Sequence, residues 1–349
     1  MKRLLLTWLL VLAGCQHPIQ VRTDSVVRVP DGVAGKVQME LPGHIDAGPM
    51  LEVAIASPGC AGAKVKVAVI DLDGVLCNLD YVGPYSQGEN PLAVFKEKLA
   101  LAAADPAVRA VVLRINSQGG GVAATDLMLH EIRAFKSKTG KPVVTCFLDL
   151  GAGGAYYLAC GTDAIVASPT SVVGGIGVVL NLYYATVAME LQNIFDVSIK
   201  EGPSIDMGSP SRKLTDEERK LLTAMAKEYH ERFKTIVVEG RKNVQRDSPF
   251  FDGRIMTAHE AKNVGLIDGE GYLEDALALA RQLAGIAEAQ PVMYRRKGDP
   301  ARSLYAASAN RPIHGTFMPY SIPGLDRSRL PLFLYMWQAD PTLLKLTGQ

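Results

Sequence analysis

Three glycine-rich turns hold the residues of this chain that could do chemistry. The first reads Arg114-Ile115-Asn116-Ser117-Gln118-Gly119-Gly120-Gly121-Val122, the second Gly151-Ala152-Gly153-Gly154-Ala155-Tyr156-Tyr157, and the third Val173-Gly174-Gly175-Ile176-Gly177-Val178. Glycines between a strand and a helix let backbone N–H groups face open space. Donors fixed in this way can stabilise a developing oxyanion or hold the backbone of an extended peptide. Gly119, Gly120 and Gly154 are the candidate donors. Hydrolysis also needs a nucleophile touching a base. His17, His44, His130, His230, His259 and His314 are scattered without a partner at triad-like spacing, and Cys60, Cys77, Cys146 and Cys160 form no CxxC or Cys/His pattern. No zinc site and no cofactor is expected from them. Ser117, in the first turn, Cys146, on the strand before the second, and Ser204, farther along the chain, are the possible nucleophiles; Lys200 is the obvious candidate base and reads as a surface charge. A hydroxyl in a turn more often bonds its own backbone.

The elements that must position these turns alternate. Apolar runs at Val65 to Leu72, Ala110 to Ile115 and Pro142 to Phe147 are separated by helical stretches at Pro91 to Ala104 and Ala123 to Lys136. Strand, helix, strand, helix implies an α/β fold with a mainly parallel sheet and flanking helices. Thr215 and Glu218 have the spacing of a capping box, and Leu222, Met225, Tyr229, Phe233 and Val237 follow on one face of a long helix. A further helix runs from Leu273 to Leu283, where the core is expected to end. The divisions read from the sequence are residues 1–15, 16–64 with short strands such as Val37 to Leu41, 65–283, and a proline-rich tail at 284–349. The tail carries an apolar cluster from Leu330 to Trp337, which must dock on its own core, on a neighbour or on a membrane.

Composition narrows the partners. With 37 basic and 36 acidic residues the net charge is +1, so no global field exists to hold nucleic acid. At the N-terminus Lys2 and Arg3 precede the apolar run Leu4 to Leu12, then Ala13-Gly14-Cys15. The run reaches about half of the ~20 residues a spanning helix needs, so it reads as a cleavable export signal. Ala13-Gly14-Cys15 resembles a bacterial lipobox, which implies acylation of Cys15 and a lipid anchor to a membrane of the cell envelope, facing the periplasm or exterior. Gln16 is compatible with outer-membrane sorting.

Taken in order with Asp206-Met207-Gly208-Ser209-Pro210 and Gly253-Arg254 to Gly265-Leu266-Ile267-Asp268, the three turns resemble the signal peptide peptidase (protease IV) family over residues 65–283. The resemblance implies a fold similar to Clp protease and crotonase, bowl-shaped oligomers, and a serine and lysine dyad. The family's serine stands three residues before the tyrosine pair, and here that position is Gly153. Its lysine stands immediately before the aspartate of the later segment, and here that position is Ile205. The third turn has Gly175 where the family commonly has serine. Glycine has no nucleophilic atom and isoleucine cannot move a proton; in a well-studied hydrolase, loss of the nucleophile costs about a millionfold. The expectation is a pseudopeptidase lipoprotein that binds extended peptides or signal peptides and assembles with itself or with an active relative. The competing readings are a peptidase with a substitute nucleophile and, remotely, a crotonase-like acyl-thioester enzyme, for which no coenzyme A signature is present.

Overall fold

The computed structural model describes residues 48–55, 63–80, 89–182, 184–297, 299, 303–306 and 333–337, together with the backbone of 23–28 and 34–39. The signal, lipobox and Cys15, with Cys60, lie outside the described residues. Strands β1 (Thr23–Arg28) and β2 (Ala34–Met39) pair with each other, antiparallel and apart from the main sheet.

The main sheet contains β3 (Met50–Ala54), β4 (Lys66–Leu76), β5 (Val108–Gly121), β6 (Val143–Ala152), β7 (Ala164–Ala167), β8 (Val172–Gly174), β9 (Ile255–Thr257), β10 (Gly269–Glu270), β11 (Gln290–Arg296) and β12 (Leu334–Met336). Its main path runs β10-β7-β6-β5-β4-β11-β3; β8 pairs with β6 and β9, and β12 pairs with β5. From β10 through to β11 the pairings along that path are parallel, and β3 lies antiparallel at the edge. This is the mainly parallel α/β sheet that the strand and helix alternation predicts. The central strands are apolar on both faces because both faces are covered. On one side Val111, Leu113 and Ile115 of β5 pack with Phe95, Met128 and Ile132 from α1 (Pro91–Ala104) and α2 (Val122–Thr139). On the other, Val112, Val144 and Cys146 pack with residues of the C-terminal helix Leu273–Leu283.

Between them in the chain come α3 (Gly154–Ala159), α4 (Thr186–Leu191), α5 (Asp216–Gly240) and α6 (Ala258–Asn263), so the C-terminal helix is α7. Helix α5 opens as the sequence predicts: the Thr215 hydroxyl accepts from the Glu218 N–H and the Glu218 carboxylate accepts from the Thr215 N–H. Its stripe is buried at Leu222, Phe233 and Val237 and emerges at Met225.

Two pieces of the segment after Leu283 enter the sheet. Strand β11 lies between β4 and β3, and β12 lies against the end of β5. The centre of the sheet also holds charge: Lys98 donates to Asp71 at 2.6 Å, and Arg114 and Arg295 stand within 3.9 Å of the same carboxylate. Burial opposes ionisation of Asp71, but Lys98, Arg295 and Arg114 together hold its carboxyl below the usual range. Arg114 and Arg295 donate outward to the carbonyls of Leu304 and Ala306, which fastens residues 303–306 to the sheet.

Candidate functional site

The three glycine turns meet at one end of β5, β6 and β8. Parallel strands whose chains leave at the same end place their turns side by side, and in α/β sheets that end is where ligands bind. Gly119 to Gly121 form the last residues of β5, Gly153 caps α3 immediately after β6, and Gly174 ends β8. Gly153 N–H donates to Gly174 O at 2.9 Å, tying the second turn to the third.

Gly153 has φ 55° and ψ −124°, a conformation that L side chains disfavour, and it is buried. A Cβ placed there would stand 2.5 Å from Tyr335 O and 2.9 Å from Gln118 O. Gly119, at φ 104°, is as crowded: a Cβ there would lie 2.5 Å from Gly154 N and would overlap Tyr335 O. At Gly175 a Cβ would meet Gly153 N at 3.1 Å and Trp337 Cβ at 3.2 Å. The tyrosines after Gly153 are core residues with satisfied hydroxyls: Tyr156 donates to Leu266 O at 2.7 Å and Tyr157 to Asp126 at 2.6 Å.

The chain itself fills the space that these glycines leave. Strand β12 runs antiparallel to the end of β5, with Leu334 opposite Gly121, Tyr335 opposite Gly120 and Met336 opposite Gly119. Val122 N–H donates to Phe333 O and Trp337 N–H to Gln118 O, extending the ladder at both ends. On its other edge, Leu334 exchanges both backbone hydrogen bonds with Val179. Alternation along the strand sends Tyr335 into the main core and Leu334 and Met336 onto Val75. The Tyr335 ring stacks on Tyr157 at 5.1 Å and lies 4.8 Å from Phe233, and its hydroxyl donates to Tyr229 O at 2.7 Å. Phe333 meets Tyr229 edge-on at 5.1 Å.

The other candidate residues are spread over different environments. Ser117 is buried; its hydroxyl donates to Gly74 O and accepts from Gly119 N–H at 3.0 Å, so that N–H is already engaged. Cys146 faces α7 within the core, and burial, reinforced by Glu274 and Asp275, pushes its thiol up to about 12. Ile205 is 75% exposed, on a turn that also contains Ser204. Lys200 donates to both oxygens of Asp206 at 2.7 Å, and Arg212 bridges Asp206 to Glu218. Among the described residues no serine or threonine hydroxyl is hydrogen-bonded to a lysine amine, and no cluster of His, Cys, Asp or Glu could hold a metal ion. No described helix is long and apolar enough to cross a membrane.

Strand β12 is the part of the site that sequence reasoning did not place. Its signal was present in the apolar cluster Leu330 to Trp337, whose need to dock is readable but whose partner strand is not.

An α/β sheet thus gathers three glycine turns at one end, with an extended strand of the same chain seated against them. Residues 135–287 match the model of peptidase family S49. A putative signal peptide peptidase of Enterococcus faecium is 29% identical over 231 residues, covering 66% of this chain and 67% of that protein. A putative protease of Methanocaldococcus jannaschii is 37% identical over 191 residues, covering 54% of this chain and 61% of the relative. Protease 4 of Salmonella typhi is 31% identical over 181 residues, covering 52% of this chain but 29% of its own length. Among solved structures, a variant of the 1510-N membrane-bound stomatin-specific protease in complex with a substrate peptide aligns at TM-score 0.40 and 17% identity, over 62% of this chain and 80% of its own. These matches support a peptidase family S49 domain and similarity to the signal peptide peptidases.

Proposed function

We propose that this chain is a member of its family that binds peptides without hydrolysing them. One observation carries the reading: the residue three positions before Tyr156 is Gly153, buried with no side-chain atom to attack a carbonyl. Ile205, where the family has its amine, is exposed and cannot accept a proton. The substitutes are engaged elsewhere or inert, since Ser117 bonds backbone on both sides, Lys200 is paired with Asp206, and the Cys146 thiol is held protonated by burial. The backbone at Gly119 to Gly121 pairs with an extended strand, the chain's own β12, and strand pairing is the mode by which sheets recognise peptides.

On this reading the protein is an envelope lipoprotein, anchored through Cys15 to a membrane and facing the periplasm or exterior, that scaffolds or regulates a partner. Extended or signal peptides are the ligand class. Assembly with a second copy, or with an active relative, is supported by the apolar surface between α4 and Ile205, where Phe195 is 70% and Ile199 99% exposed.

The test is to offer the protein lacking residues 1–15 a panel of fluorogenic peptides and a serine-reactive phosphonate. Neither turnover nor labelling is expected. Turnover at rates comparable to an active relative assayed alongside would overturn the reading.

A further inference from the structure

We propose that residues 333–337 are a resident ligand of the peptide groove, and that other peptides bind by exchanging with them; this rests on the peptide-binding reading given above. The groove specifies its occupant: a strand carrying an aromatic residue, with apolar residues on either side of it. Three independent features of the site point to this.

The first is hydrogen bonding. The segment is paired on both edges, to β5 on one side and to Val179 on the other, so it has the environment of an inserted strand rather than of an edge. The second is the ring pocket. Tyr157, Phe233 and the Tyr229 carbonyl surround the fully buried Tyr335, supplying two aromatic faces and one acceptor for the hydroxyl. A tyrosine uses all three, whereas an aliphatic residue would forfeit the ring contacts and the hydroxyl's bond to that helical carbonyl. The third is the pattern of glycines. Side chains at Gly119 and Gly153 would strike the Tyr335 carbonyl, and one at Gly175 would press on Trp337. Gly119, Gly153 and Gly175 all border the segment 333–337. Glycine at these positions and the seated strand are thus two aspects of one arrangement: a side chain at any of them would crowd the tail out of its place.

A peptide from outside must therefore displace β12, and its apparent affinity is reduced by the fraction of molecules in which the tail is seated.

The experiment uses the full chain and a variant altered only in the tail, Tyr335→Glu, whose carboxylate cannot enter the ring pocket without a partner. Amide hydrogen exchange at Leu334 and Trp337 should be slowed ~100-fold or more relative to unstructured peptide in the natural chain, and that protection should be lost in the variant. A fluorescent synthetic peptide with the sequence of residues 331–338 should bind the variant ~10-fold or more tightly than it binds the natural chain. The same peptide with alanine in place of its tyrosine should lose that advantage. Free exchange of these amides in the natural chain, or equal peptide affinity for the two proteins, would overturn the proposal. Tyr335→Phe gives a milder second variant, which keeps the ring, drops the bond to Tyr229 and should fall between the two in both measurements. Hydrolysis of the peptide by either protein would instead defeat the pseudopeptidase reading while leaving tail exchange intact.

Discussion

Gly153 is buried at the start of α3, pressed by the Tyr335 and Gln118 carbonyls, whereas Ile205 stands on a surface turn with three quarters of its area exposed. Both positions lack the reactive side chain that the family resemblance assigns to them, but the consequences differ. At Gly153 the surrounding backbone has closed on the space a side chain would use, so a reversal must move something. At Ile205 no described residue covers the side chain, and an apolar group there gains little from packing against the described residues. A partner surface covering this turn would account for the isoleucine.

The contrast can be tested by changes of decreasing size. The largest effect is expected from Phe233→Ala, which removes the floor under Tyr335 and leaves the Ile205 turn untouched. Denaturant unfolding should show a loss of about 3–5 kcal/mol. Next comes Gly153→Ser, which combines an unfavourable backbone conformation with a collision against Tyr335 O and should cost about 1–3 kcal/mol. Combined with Ile205→Lys, it should still give no peptide turnover above background, because the tail holds the groove and the turn at residue 205 is exposed. Cleavage by the double variant would show that the two positions can be brought together after all.

A smaller effect concerns the ion pairs near Ile205. Hydrogen bonding from Arg212, then from the Thr215 N–H, lowers the Glu218 carboxyl from 4.5 to about 2. A carboxyl whose folded value is depressed stabilises the fold above its unfolded value, and that contribution is lost as pH falls. The thermal midpoint should therefore drop between pH 4.5 and about 2, and Glu218→Gln should remove that part of the acid sensitivity. The smallest change is expected from Ile205→Lys alone, within about 0.5 kcal/mol for the monomer. Sedimentation would sharpen the comparison: a shift toward smaller species in this variant would place Ile205 inside an assembly.

Much of the scaffold was legible because it rests on local signals. The Pro91–Ala104 and Leu273–Leu283 helices have the bounds their apolar period predicts, and the Thr215 capping box fixes the start of α5. Long apolar runs gave β4, β5 and β6, whose ends the structure extends into the glycine turns. The pairing of β11 and β12 was hidden for a different reason. A three-residue strand such as Leu334–Met336 carries no period of its own, and its register is set by glycines far back in the chain. Arg114 and Arg295 were equally unreadable as core residues, because their burial depends on Asp71 and, for Arg114, Asp73, both contributed by the distant strand β4. Within the site the glycine turns could be found from sequence, and their occupant could not.

The insertion of β11 between β4 and β3 sets a timetable for folding. Until Gln290–Arg296 has been synthesised, one side of β4 is an open row of donors and acceptors, and Asp71 lacks one of its two arginines. Contacts spanning so much of the chain form slowly, since the intervening segments must be ordered before the strands can meet. An incomplete chain is accordingly a poor nucleus for its own sheet. For an exported lipoprotein, as proposed for this one, that delay keeps the chain pliable until its last strands arrive.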